Sequence, residues 1–252
     1  MLTGRINFRV QLAELIIEVS TLYDDTKKLC HHYLSSGKPD FSISIKQDDI
    51  EFEQHRSIQI NELHGLPVPE YSSGYLETLA VLRKIAERIP DYGVLLIHGS
   101  ALAIDNNGIL FSAKSGAGKS THARLWREQF GERIVMVNDD KPFIKVGCDG
   151  VFLCGTPWDG KHRLGHNIKV PLRAISLLYQ DSKNGILPIS SREAYPLLLQ
   201  QTYRPRDKDA AVKTLTLLDL LMKNVSLYSL GCNTEAAAAL TAYEGIGKGL
   251  CQ

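Results

Sequence analysis

Long apolar runs, closely spaced cysteines and an excess of one charge are all missing from these 252 residues. Without a stretch of about 18 apolar residues, no helix is expected to cross a bilayer. The 29 Lys and Arg nearly balance the 28 Asp and Glu, leaving a net charge of +1. That removes an overall basic field for nucleic acid and any acidic tail, and leaves local patches open. The five cysteines, Cys30, Cys148, Cys154, Cys232 and Cys251, form no CxxC pair. So odd and sparse a set reads as reduced thiols in a cytoplasmic protein, without zinc-type spacing. Residues 1–10 carry Arg5 and Arg9 but no continuous apolar stretch, so no signal peptide is expected. Repeats and low-complexity tracts are absent as well. What is present, 44% apolar and 23% charged residues, suits an ordinary buried core.

The N-terminal part differs in texture from the rest. Phe41-Ser42-Ile43-Ser44-Ile45 and Ile50-Glu51-Phe52 alternate like half-buried strands, and Leu66-Pro67-Val68-Pro69 interrupts regular structure. This predicts a small β-rich subdomain over 1–70, a linker, and a main domain over 71–252. Tyr75, Leu79, Leu82, Ala86 and Ile89 are spaced for an amphipathic helix that stops at Pro90. Apolar runs at 94–97, 101–104 and 109–111, with Asp105-Asn106-Asn107-Gly108 as the turn, predict a β-hairpin. Ala123, Trp126 and Phe130 form a helix stripe closed by Gly131. Strands are expected at 134–137, 143–146, 151–154, 174–179 and 225–230. Helices are expected at 208–223 and 234–244, the latter capped by Asn233 or Thr234. The fold class is therefore α/β, a mixed central β-sheet with flanking helices.

The strongest motif follows the hairpin directly. Ala113-Lys114-Ser115-Gly116-Ala117-Gly118-Lys119-Ser120 matches the phosphate-loop (Walker A) pattern, except that alanine replaces the first glycine. Gly116 and Gly118 let the backbone curl so that successive N–H groups point at an anion. Lys119 supplies a compact positive charge, the Ser120 hydroxyl can ligate Mg²⁺, and the following helix presents its positive end. Lys114, Ser115, Gly116, Ala117, Gly118, Lys119, Ser120 and Thr121 are thus the expected ATP-binding residues. Ala113 is compatible with the loop provided its φ is negative. Most phosphate-loop folds enter the loop from a parallel crossover strand, so entry from a hairpin is informative.

Twenty residues beyond Lys119, an apolar strand ends in Asn138-Asp139-Asp140. Neighbours at a strand end point to opposite sides, so one Asp can face a metal and the other an incoming nucleophile. A solvated strand-to-turn corner is the other reading, because Asn and Asp also favour turns. His98 ends an apolar strand that should pass near the loop. His31, His32, His162 and His166 give no metal pattern and read as surface residues.

His98-Gly99-Ser100, the hairpin, the loop at 114–121 and Val137-Asn138-Asp139-Asp140 together resemble the kinase domain of bacterial HPr kinase/phosphorylase. They resemble still more the shorter, stand-alone HPr-kinase-like serine kinases, over roughly residues 90–180. The resemblance implies a core akin to phosphoenolpyruvate carboxykinase. It also implies that Lys119 and Ser120 serve phosphate and Mg²⁺, that Asp139 is the general base for a seryl hydroxyl, and that His98 hydrogen-bonds and orients Asp139. Asp140 then falls to the metal beside Ser120. The loop Gly155-Thr156-Pro157-Trp158-Asp159-Gly160-Lys161 lies where the family contacts its substrate but departs from its signature, and no counterpart of the family's N-terminal domain is recognisable. Both departures point away from HPr as the acceptor. Asp159 or Lys161 then touches a different substrate, or the segment is a plain surface loop.

The expected function is a Mg²⁺- and ATP-dependent kinase that phosphorylates a serine or threonine of a peptide or small protein. Lys161, Arg163 and Lys169 could hold an acidic acceptor or form a solvated basic face. A small-metabolite kinase and a non-catalytic nucleotide-binding protein are the alternatives. Neither nucleic acid nor membrane is an expected partner, and a homo-oligomer is left open.

Overall fold

The computed structural model describes residues 4–63, 65 and 67–250. The chain forms two compact units, Met1–Arg88 and Ile89–Gln252.

In the first unit, β1 (Ile6–Leu12) and β2 (Leu15–Thr21) form an antiparallel hairpin. Its two turn residues, Ala13 and Glu14, both take positive φ (49° and 68°), the geometry that matches strand twist. Val10, Leu12, Ile17 and Val19 are buried in strict alternation. A short helix α1 (Asp25–Leu29) leads to β3 (Phe41–Ser44), which runs parallel to β2. Two longer helices follow, α2 (Gln47–Leu63) and α3 (Ser73–Arg88).

Three expectations need correction here. The run Ile50-Glu51-Phe52 is helical: its alternation was only three residues long, and Asp49 Oδ2 accepts from Lys46 N at 2.9 Å at the start of α2. The unit is accordingly α+β and not simply β-rich. Its boundary is Arg88 and not residue 70, because α3 packs inside it. Arg83 on α3 grips Glu53 at 2.5 Å and Asp49 at 3.2 Å on α2. Glu77 on α3, fully buried, accepts from Leu22 N at 2.6 Å and Tyr23 N at 2.9 Å. Burial raises the Glu77 pKa, against the pull of those two backbone donors. Residues 67–69 of the expected linker have no regular structure, and Leu66 lies outside the described residues.

The second unit is built on a nine-stranded sheet. Its strands and helices are β4 (Val94–Leu96), β5 (Ser100–Ile104), β6 (Asn107–Ser112), α4 (Lys119–Phe130), β7 (Ile134–Asn138), β8 (Phe143–Gly147) and β9 (Gly150–Cys154). Then come β10 (Lys169–Gln180), β11 (Gly185–Pro188), α5 (Ser191–Gln201), α6 (Lys208–Asn224), β12 (Ser226–Cys232) and α7 (Ala237–Leu250). The sheet order is β4-β8-β9-β10-β6-β5-β7, with β12 on β10 and β11 on β12. The long β10 joins its two halves. Residues Lys169 to Pro171 pair antiparallel with β9, and beyond an irregularity between Leu172 and Ala174 the strand runs parallel to both β6 and β12. The expected hairpin is β5–β6, turning through Asp105 and Asn106 at positive φ.

Alternation on β5 shows how the core divides. Ala101 and Ala103 enter one buried cluster with Leu110, Leu198 and Leu218. Leu102 and Ile104 enter the other with Phe111, Trp126 and Ala239. Helices α5 and α6 thus cover one face of the sheet, and α4 and α7 the other. Truncating a residue such as Phe111 to alanine would cost about 3–5 kcal/mol. No helix among the described residues is long and apolar enough to cross a membrane.

Candidate active site

Strand β6 ends at Ser112, and the chain turns through residues 113–118 before α4 starts at Lys119. Ala113 is fully buried and is not among the residues with positive φ, so its β-carbon is tolerated. Gly116 (φ 79°) and Gly118 (φ 101°) both occupy the left-handed region, and a β-carbon at either would meet nothing within 4 Å. The glycines are therefore needed for backbone conformation, and the loop backbone borders open space. Lys119 Nζ donates back to the carbonyl of Ala113 at 3.2 Å. Ser120 and the stretch 114–116 are exposed, while Thr121 is half-buried. Beneath the first turn of α4, His122 is almost fully buried against Phe111, its ring 4.7 Å away. Trp126 Nε1 donates to His122 Nε2 at 3.0 Å, and His122 Nδ1 has no hydrogen-bond partner among the described residues. Burial alone pulls the His122 pKa down to about 4.

The acidic pair is shaped by Asn138, which is completely buried. Asn138 Oδ1 accepts from Asp140 N at 2.8 Å and Lys141 N at 2.6 Å, so the chain reverses immediately after β7. Its amide donates to the Thr156 carbonyl at 3.0 Å, which ties the turn to β9's exit. On the neighbouring strand, Ser100 Oγ donates to Asp139 Oδ1 at 2.5 Å. The Asp139 N–H donates to Asp159 Oδ1, and Asp159 Oδ2 accepts from Gly165 N at 2.7 Å.

His98 does not meet Asp139 as expected. Its Nε2 faces Asp140 Oδ1 at 3.3 Å, and its Nδ1 faces Gln201 Oε1 at 3.0 Å. The physical reason lies in the backbone: Ala101 pairs with Asn138, which sets Ser100 beside Asp139, while Gly99 N donates to the Asp140 carbonyl at 3.2 Å. Asp140 Oδ1 also holds Lys141 Nζ at 2.7 Å. Burial lowers the His98 pKa, helped by Lys141 and Lys119 and opposed by Asp140 and Gln201. Lys119 is likewise lowered by burial, with Asp140, Lys141 and Asp139 the charges it feels. Lys119, Lys141, His98, Asp139 and Asp140 therefore share one electrostatic neighbourhood.

With His98 Nδ1–H donated to Gln201, the neutral ring turns its Nε2 lone pair toward a carboxylate oxygen.

Other expected contacts fare differently. Asp159 spends both carboxylate oxygens on the protein's own backbone, so it positions Asp139. Lys161, His162 and Arg163 are exposed on a turn closed by Arg163 N donating to the Gly160 carbonyl at 3.0 Å. Lys169 instead lies over the Phe152 ring, 4.1 Å from its centre. His31, His32, His162 and His166 are all exposed.

Solved structures give a partial likeness. One of them is the Hpr(Ser) kinase/phosphatase from Coxiella burnetii, at 10% identity and a TM-score of 0.34, covering 62% of this chain and 95% of that one. A score of that size carries no weight for fold or function. No protein-family model and no curated protein sequence matches the chain.

Sequence reasoning missed Lys141, Ser100, Gln201 and His122. Lys141 directly follows the acidic pair and was findable as a charged neighbour. Gln201 approaches from α5, and nothing local in the sequence signals its contact with a histidine so far upstream.

No group of three or more His, Cys, Asp or Glu among the described residues could hold a metal by itself. Mg²⁺ held largely by phosphate oxygens and water needs only one or two protein oxygens. The donors fit that need, but unequally. A dication beside Asp140 would face the Lys141 ammonium, whereas Asp139 makes no ion pair among the described residues and accepts a hydroxyl hydrogen bond.

Proposed function

We propose that the chain is an ATP-dependent phosphotransferase that passes the γ-phosphoryl group to a serine or threonine hydroxyl of a peptide or small protein. The observation that carries this reading is the convergence of Lys119, at the head of a loop with two left-handed glycines, on the His98–Asp140 and Ser100–Asp139 pairs. A nucleotide binder without an acceptor needs the loop but not a carboxylate paired with a histidine beside it.

Loop N–H groups and Lys119 hold the phosphates, aided by the positive end of α4. The acceptor hydroxyl loses its proton to Asp140, and His98 Nε2 shares it. The acceptor oxygen bonds to the γ-phosphorus as the bond to the β,γ-bridging oxygen breaks, and those electrons leave with ADP. Ser120 and Asp139 would hold Mg²⁺, which supplies charge neutralisation on the phosphate oxygens. The contact with His98 thus exchanges the roles that the sequence resemblance gave to the two aspartates.

The test is intact mass spectrometry of candidate serine peptides incubated with the protein and MgATP. A single phosphate addition that alkali removes is the expected result. Labelling of small alcohols with no peptide ever modified would replace the peptide acceptor with a metabolite. Tight ATP binding without any transfer would remove the catalytic reading.

A further inference from the structure

Two cations face the acidic pair, and only Lys119 belongs to the phosphate loop. Lys141 is pinned through its backbone: its N–H donates to Asn138 Oδ1 at 2.6 Å, and its carbonyl accepts from Thr156 Oγ1 at 2.8 Å. Its side chain, 31% exposed, is left free to swing, with the ammonium 2.7 Å from Asp140 Oδ1. Lys119 is turned back on the carbonyl of its own loop at Ala113. A β-carbon at Gly116 or Gly118 would meet nothing within 4 Å, so the loop that carries Lys119 borders open space.

Resting on the nucleotide reading of the 113–120 loop, we infer that Lys141 is a second phosphoryl-holding cation, parked on Asp140 until a γ-phosphate draws it away. A lysine suits that role, being a point charge on a flexible stem with three rotatable donors. A terminal phosphate carries more negative charge than a carboxylate, so Lys141 transfers to it without losing an ion pair. The transfer also uncovers Asp140 Oδ1. That oxygen is then shared with His98 alone, and the proton acceptor becomes available only when a triphosphate is present. In the absence of the γ-phosphate, the ammonium blocks the carboxylate that would otherwise activate water or acceptor. The electrostatic coupling of Lys119 to Lys141 fits this placement, since a bound γ-phosphate between them would relieve the mutual repulsion.

The experiment is calorimetric titration of a non-hydrolysable ATP analogue and of ADP, each with Mg²⁺, into the wild-type chain, Lys141→Met and Lys141→Arg. Lys141→Met should weaken the triphosphate by about 10- to 100-fold while changing ADP by less than about 2-fold. Lys141→Arg, which keeps the charge, should recover most of the difference. Equal losses for both nucleotides, or none for either, would overturn the role of Lys141 while leaving the loop reading standing. Failure of the wild-type chain to bind either nucleotide rejects the loop reading itself. Should Lys141→Met not fold, Lys141→Gln reads the same ratio.

Discussion

Lowering the pH should loosen the second unit through one residue, His122. Its ordinary pKa of 6.5 falls to about 4 in the folded chain because burial disfavours the imidazolium. The unfolded chain therefore binds this proton first. His122's contribution is fully present above pH ~6.5 and is lost as the pH falls from there toward ~4. With those two values, the folded state loses about 2 kcal/mol at pH 5 relative to pH 8, and at most about 3 kcal/mol at lower pH. The lowered His98 pKa adds acid sensitivity of the same sign, so the signal is a difference between two chains. Urea unfolding at pH 8 and pH 5 would be compared for the wild-type chain and His122→Leu. Trp126, whose Nε1 donates to His122, should report the transition by fluorescence. The variant should be less stable at pH 8, because Trp126 loses its acceptor, yet about 2 kcal/mol less sensitive to acid. Identical acid sensitivity in the two chains would show that His122 does not stay neutral in the folded state.

Four further substitutions probe the site. Lys119→Ala should abolish transfer and cost about 1.5–3 kcal/mol of ATP binding without unfolding the chain, since one charge-assisted contact is lost; calorimetry and a labelled-ATP assay read both, and undiminished transfer would refute the phosphate-loop role. Asp140→Asn should lower transfer by about 10²–10⁴-fold at near-normal nucleotide affinity, whereas Asp139→Asn should chiefly raise the Mg²⁺ concentration needed; the reverse pattern would return the base to Asp139. Asp159→Ala should cost about 1–3 kcal/mol of stability by stranding the N–H groups of Asp139 and Gly165, and a chain as stable as the wild type in thermal unfolding would argue against its anchoring role.

Much of the second unit was legible because local signals agreed with each other. The turn Asp105-Asn106 sits between two apolar runs, and the loop's glycines stand where left-handed φ is observed. Elements with conflicting signals were lost. The β1–β2 hairpin turns through Ala13 and Glu14, neither of which marks a turn in sequence. Strand β10 begins at Lys169, well before the apolar run expected at 174–179, because Pro171 and Arg173 interrupt its pattern. Helix α5 opens on a capping box formed by Ser190 and Glu193, yet Pro196 lies inside it and hides its helical character.

That last omission bears directly on the chemistry. The two aspartates are adjacent, chemically identical, and preceded by one strand, so nothing local ranks one above the other as a base. What separates them is three long-range contacts: Ser100 to Asp139, His98 to Asp140, and Gln201 to His98. The first two follow from strand register, since β5 and β7 pair Ala101 with Asn138 and the side chains on either side are thereby assigned. A shift of one residue would exchange them. The third requires the end of α5 to reach His98, where Gln201 O also accepts from the His98 N–H at 2.9 Å. With Gln201 holding Nδ1, the histidine is fixed with Nε2 toward Asp140. The sequence supplies the two adjacent aspartates, and the sheet register together with α5 decides which of them meets His98.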